Sequence, residues 1–183
     1  MNIAKIPARA FLRKRHSKGF GVHSPYAYSF VTEVINPGNY GRYAYDKIDA
    51  YTNLTPKVAY HAKWFVRLLC FLNPHRVIAY PFPSLALEVA SQSLGVAVEP
   101  VDHLVRHVFQ AGDFLVITSR DCKKTLISEA IENQVAIFAI DPDETLRKII
   151  ENPIDKGLLL RSRHQLLLIP RPQMEYVAYD IDF

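Results

Sequence analysis

Glycine, cysteine and long apolar runs are scarce in this sequence, and each shortage closes off a class of function. None of the seven glycines lies between Gly41 and Gly95, so that stretch has no glycine-rich turn of the kind that cradles phosphate. No apolar run reaches the roughly 18 residues of a bilayer-spanning helix. Near the N-terminus Ile3, Ala4 and Ile6 are soon followed by Arg9 and Arg13, which does not make the apolar core of a secretory leader. The expectation is a cytoplasmic protein with no membrane contact. The two cysteines, Cys70 and Cys122, are far apart and lack metal-ligand spacing, so two reduced thiols are expected, with Cys70 packed inside an apolar helix pattern.

Acidic residues are missing from the start of the chain. Lys5, Arg9, Arg13, Lys14, Arg15 and Lys18 all precede the first acid, Glu33, which leaves 16 of the 22 basic residues against all 18 acidic ones. The net charge of +4 is therefore a property of an N-terminal arm. Tyrosines at 26, 28, 40, 43, 45 and 51 follow it. Cations beside aromatic rings can hold single-stranded nucleic acid, so Arg13, Lys14, Arg15, His16 and Lys18 are candidate contacts for an anion, a nucleic acid or a protein partner. The plainer reading packs the tyrosines against the sheet or across a subunit contact, with a homo-oligomer among the outcomes.

At 183 residues and 49% hydrophobic, the chain can bury one main core. Ser24-Pro25 and Thr55-Pro56 are helix starts, because a hydroxyl can cap a free N–H and proline at the first helical position has none to satisfy. The apolar residues that follow recur at helical spacing until Asn36-Pro37 and Asn73-Pro74. Gly19 and Gly21 in KGFGVHSP provide the turn into the first of these helices. After Pro74 the pattern changes to short β-type runs, RVIAY, VAVEPV, DFLVIT and VAIFAI, alternating with helical segments at 84–94, 122–133 and 143–151. That alternation predicts a mostly parallel sheet covered on both faces. Asp141 is expected to cap the last of these helices, with Glu144 as its capping-box partner. LLLRSRHQLLLIP and MEYVAYDIDF read as strands joined by too short a link for a crossover helix, so they are expected to pair antiparallel. The expected organisation is a helical extension over 1–57 and an α/β domain over 58–183.

The stretch RKRHSKGFGVHSPYAYSFVTEVI, followed by YAYDKID, resembles the N-terminal extension of a group of bacterial O-methyltransferase-like proteins of the class I S-adenosylmethionine-dependent family. In that group a basic RH-K-GxG-[IV]-HSP-[FY] segment leads into a helix and a Y-A-[YF]-[DE]-x-[IL] stretch. HQLLLIP followed by EYVAYDIDF is similar to its closing antiparallel strands. The resemblance covers residues 11–50, 58–80 and 158–183. It implies a Rossmann-like methyltransferase-type sheet and S-adenosylmethionine as cofactor if the family activity is retained, with Tyr80, Ser84 and Glu99 at the positions of cofactor contacts.

Several features depart from that pattern. The first strand runs into Pro81-Phe82-Pro83-Ser84, where the family needs glycines so that the backbone can approach the cofactor. The two prolines remove N–H donors, and Phe82 is expected to fill cofactor space. The strand ends in Ala79 and Tyr80 rather than an acid. Only HLVRHVFQAG, residues 103–112, stands where the family inserts a helix, a strand and another helix, so one edge unit is expected to be missing. Asp121 falls about three residues late for a metal-binding aspartate, and His103 and His107 have no evident third ligand, so no metal is expected. The expectation is a degenerate methyltransferase-like protein, leaning away from being an enzyme, that works by binding or assembly and needs no cofactor. Its rivals are an active methyltransferase with an atypical pocket and a nucleic-acid-associated module using the arm.

Overall fold

The computed structural model describes residues 8–36, 43, 45–101, 109–119, 122, 124–151 and 156–183. Asp121, His103, His107 and most of 103–112 lie outside them. In chain order the elements are α1 (Ala8–His16), α2 (Pro25–Phe30) continued by a π-helical turn (Val31–Ile35), α3 (Asp46–Asp49), α4 (Pro56–Leu72), β1 (Val77–Tyr80), α5 (Leu85–Leu94), β2 (Val98–Pro100), β3 (Phe114–Ile117), α6 (Lys124–Glu132), β4 (Ala136–Ile140), α7 (Glu144–Glu151), β5 (Gly157–Arg161), β6 (Gln165–Pro170) and β7 (Val177–Asp180). Among the described residues, no helix is long and apolar enough to cross a membrane.

The local start signals operate as expected. Ser24 and Thr55 each accept a hydrogen bond from the backbone N–H three residues on, at Ala27 and Val58, and Ser84, not read as a cap, does the same with Leu87. α4 ends where Asn73 turns left-handed at φ 47°, a conformation asparagine tolerates better than most residues. The Val31–Ile35 turn is wider than an α-helical one, closing with Asn36 N–H donating to the Val31 carbonyl. Buried Arg67 of α4 donates to the Val34 carbonyl at 2.7 Å, supplying a partner where the helix ends.

The strands form one sheet in the order β2-β1-β3-β4-β6-β5-β7. β2, β1, β3 and β4 are parallel, and β6 runs antiparallel between β4 and β5. Alternate residues divide the core. Val77, Ala79, Val116 and Phe138 face α2, α4 and α5, whereas Ile78, Leu115, Ile117 and Ile137 face α6 and α7. α5 links β1 outward to β2 on one face and α6 links β3 outward to β4 on the other, as right-handed crossovers leaving a central pair in opposite directions require. Residues of the N-terminal segment, Val22, Ala27, Phe30 and Val34, share a core with Trp64, Val77 and Phe138.

Two local expectations are corrected. The strand at 177–180 does not pair with β6; it pairs in parallel with β5, Leu158 opposite Val177. Both edges of β6 are already taken by β4 and β5, so the chain continues to the open edge of β5. The antiparallel C-terminal pair is β5 with β6. The cap of α7 is Asp143, whose carboxylate accepts from the Leu146 N–H at 2.6 Å, and Asp141 is left for another role.

Candidate functional site

The carboxyl ends of parallel strands are where an α/β sheet opens, and here the connections differ in how far they close that edge. After β1, the Tyr80 carbonyl accepts from the Thr118 N–H at 2.8 Å and from its hydroxyl at 3.1 Å, and the same hydroxyl lies 3.2 Å from the Phe82 carbonyl. β1 and β3 are thereby tied together at their ends. Phe82 is 59% exposed and lines a hollow of about 430 Å³ with Pro83, Ser91, Gln92 and Val98.

A larger cleft, about 640 Å³, opens beside the end of β4. Its walls come from one stripe of α4 (Lys57, His61, Trp64, Phe65), the start of α5 (Ser84, Leu85, Ala86), the end of β4, the start of β6 and Phe183. The helical period places residues 57, 61, 64 and 65 on one side of α4. Trp64, Phe138 and Phe183 pack as a triangle of rings with centroids 5.1–6.0 Å apart, within the range of favourable aromatic contacts. The indole Nε1 of Trp64 is buried and has no hydrogen-bond partner, which is costly unless something outside the described chain supplies an acceptor.

Polar groups stand around this apolar floor. Asp141 adopts φ 46°, and its carboxylate accepts from His164 Nδ1 at 2.9 Å. That bond puts the proton on Nδ1 and leaves Nε2 available. The Asp141 N–H donates to the His164 carbonyl at 2.6 Å, so both backbone and side chain fix the pair. His61 has its pKa lowered, first by burial and then by the neighbouring Lys57 charge. The Ser84 hydroxyl is engaged with Leu87 N–H. Three strand spacings, about 14 Å, separate the ends of β1 and β6 in the sheet order, and no hydrogen bond joins Ser84 to His164. The cleft therefore holds a histidine–aspartate pair without a nucleophile attached to it.

The candidate cofactor contacts are not brought together. Ser84 lines the cleft, and Tyr80 contributes its carbonyl to the Thr118 clasp. Glu99 lines neither hollow. Its carboxylate lies 3.3 Å from Arg76 Nη1, in a cluster where Arg76 also grips Asp113 through Nε and Nη2, both at 2.9 Å. Asp113 is buried and additionally accepts from the Gln110 N–H, so Arg76 has its pKa raised, chiefly by the bond to Asp113. Among the described residues there is no group of three or more side chains able to hold a metal.

The basic arm is docked onto the opposite edge of the sheet. His16 donates from Nδ1 to the Asp180 carbonyl at 2.9 Å and meets the Tyr179 ring edge-on. Arg13 pairs with Asp182 at 3.3 Å, and Ser17 bridges the Arg13 carbonyl and the Asp182 N–H. Gly19 and Gly21 turn at φ 83° and 80°; the Tyr28 ring lies where a side chain on Gly19 would go. Beyond them, His23 and Ser24 donate their N–H groups to the Tyr179 hydroxyl. Arg13 and His16 are thus committed to the C-terminal strand, while Lys14, Arg15 and Lys18 are exposed. Cys70 is exposed rather than packed: it sits on the outer side of α4, next to buried Leu68 and Leu69. Cys122 is half-buried, and burial pushes its thiol up to about 12.

Sequence reading missed Lys57, His61, Trp64 and the Asp141–His164 pair. The helical spacing of 57, 61 and 64 was a usable signal, but the same apolar face reads first as core. No known family model, curated protein or solved structure matches the chain.

Proposed function

We propose that the chain is a degenerate S-adenosylmethionine-dependent methyltransferase-like protein that works by binding in the cleft beside β4 and does not transfer methyl groups. The observation that carries this reading is the clasp at the end of β1. Thr118 holds the Tyr80 and Phe82 carbonyls, and Pro81 and Pro83 offer no N–H. A cofactor that relies on glycine and backbone donors directly after the first strand meets two prolines there instead. Two further features agree with it. Glu99 is engaged by Arg76 instead of standing free for ribose hydroxyls, and among the described residues β2 stands at one edge of the sheet, as in a methyltransferase-type sheet trimmed of one edge unit.

Calorimetry with S-adenosylmethionine and S-adenosylhomocysteine tests the reading. No saturable heat is expected with either. Micromolar binding that disappears in Glu99→Ala would overturn the proposal and favour an active enzyme with an atypical pocket.

A further inference from the structure

Away from the β4 cleft, positive charge is gathered where β5 and β7 end. β6 runs antiparallel to both β4 and β5, so β5 runs in the direction of β4, and β7 pairs with β5 in parallel. The ends of β5 and β7 therefore lie on the same carboxyl edge as those of β1, β3 and β4, the edge at which α/β sheets take ligands. A hollow of about 230 Å³ opens there. Arg13 of α1, Arg147 of α7, Arg161 at the end of β5 and Arg163 in the turn after it all line this hollow, against Glu151 and Asp180 as its acids.

Three of the arginines are anchored. Asp180 accepts from Arg161 Nε at 3.0 Å, Asp182 pairs with Arg13 Nε at 3.3 Å, and Glu151 pairs with Arg147 Nη1 at 3.4 Å. The side chains of Arg13, Arg147 and Arg161 are only 24%, 28% and 32% exposed. Arg13 and Arg161 are held at Nε, which leaves both terminal nitrogens of each without a hydrogen bond among the described residues. Arg163 is exposed, and its guanidinium has no partner among the described residues. Its turn is nevertheless fixed, because the Ser162 N–H donates to the Gln165 carbonyl at 2.9 Å and the Arg163 carbonyl accepts from Arg147 Nη2 at 3.5 Å. Four guanidiniums against two carboxylates leave the lining with an excess of two positive charges. Arginine does not lose its proton in proteins, so that excess does not titrate away. Asp182 offsets Arg13 from outside the lining, but it is 64% exposed and solvent screens it.

We propose that this hollow binds a phosphate dianion, free or as the head of a phosphomonoester. Two negative charges match the excess in the lining, and the phosphate oxygens suit the planar donor forks that the anchored guanidiniums leave over. A carboxylate or a phosphodiester brings one charge and leaves one in excess. The volume lies below the roughly 300–1,000 Å³ of pockets that enclose drug-sized ligands, so a head group fits and the rest of an ester extends into solvent. The site is separate from the cleft beside β4, and S-adenosylmethionine carries no phosphate. Its binding or absence in the calorimeter therefore leaves this assignment untouched.

Calorimetric titration of the full chain near pH 7.5, where a phosphomonoester with a second pKa of about 6 is a dianion, tests the site with four probes. Inorganic phosphate and glycerol 3-phosphate are expected to bind saturably in the millimolar range or tighter. Saturation by the first alone supports the site with the free ion as its source, and by the second alone with the ester. Dimethyl phosphate, a singly charged diester, is expected to bind about tenfold more weakly, the worth of one charge-assisted contact. A short single-stranded oligonucleotide is expected to bind no better than dimethyl phosphate. Arg163→Gln, at an exposed side chain without a partner among the described residues, is expected to weaken the dianions about tenfold and to leave thermal unfolding unchanged. Arg147→Gln, which gives up only an i,i+4 pair with Glu151 within the chain's ion pairs, is expected to weaken them similarly. No saturable heat from either dianion at millimolar concentration overturns the proposal. So does dianion binding that survives both substitutions, a diester bound as tightly as the monoester, or an oligonucleotide bound more tightly than either dianion.

Discussion

Toward the N-terminal ends of the parallel strands, Arg76 joins buried Asp113 and half-exposed Glu99 in one bonded cluster, and the Gln110 N–H also donates to Asp113. At the carboxyl ends, beside the β4 cleft, Lys57 is exposed and has no ion-pair partner among the described residues, and the Asp141–His164 pair stands 54% and 62% exposed. Charges at the first end are gathered around a buried carboxylate, whereas those at the second face solvent. The contrast separates residues that hold the sheet together from residues open to the cleft. Glu99, the middle residue of β2, falls in the first set through its pair with Arg76.

The largest effect that would sharpen this contrast is expected from Arg76→Met. It removes the guanidinium that faces the buried Asp113 carboxylate, and removing one partner of such a pair costs about 3 kcal/mol. Glu99→Gln, at a side chain 47% exposed, should cost under about 1 kcal/mol. Urea unfolding of both variants measures the difference. Equal small losses would mean that the N-terminal cluster is no more committed to structure than the cleft.

A middle-sized effect is expected from Ser84→Ala. Ser84 lines the cleft, yet its hydroxyl accepts from the Leu87 N–H at 3.3 Å, so it belongs to the structural class despite its position. Losing the cap should cost about 1 kcal/mol in the same unfolding experiment. If stability is unchanged and ligand binding falls, Ser84 moves to the other side of the comparison.

How far these assignments can be read from sequence depends on the distance between partners. The caps at Ser24 and Thr55 were legible, because each hydroxyl bonds an N–H three residues on; Ser84, read as a cofactor contact, caps α5 in the same way. The alternation of apolar runs with helices gave the parallel strands, because burial on both faces requires continuous apolar residues. Partners far apart in sequence were not legible. Asp141 looks like a cap until His164, 23 residues later, is brought beside it by β4–β6 pairing. His16 and Arg13 look like a free basic arm until the C-terminal segment, more than 160 residues away, supplies the Asp180 carbonyl at the end of β7 and the Asp182 carboxylate just after it. The pairing of β7 with β5 was missed for the same reason. A short link after β6 fixes the direction of the next strand but does not say which edge is still open.

The smallest effect concerns His61, and it tests whether the α4 stripe is electrostatically poised. Burial first, and Lys57 second, hold its pKa below the ordinary 6.5. Above 6.5 the imidazole is neutral in both folded and unfolded chains, and the stability associated with the neutral ring is fully present. As pH falls, the unfolded chain takes up a proton that the folded chain resists, so that stability is lost as pH falls through the folded pKa. Thermal unfolding between about pH 7 and 5 should therefore fall more steeply for the wild type than for His61→Gln. The difference should be small, because the ring is only partly buried and solvent screens the Lys57 charge. Lys57→Gln should remove the lesser part of that slope, since burial is the larger cause. A slope that Lys57→Gln abolishes would reverse the order of causes and make charge, rather than desolvation, the dominant property of the cleft wall.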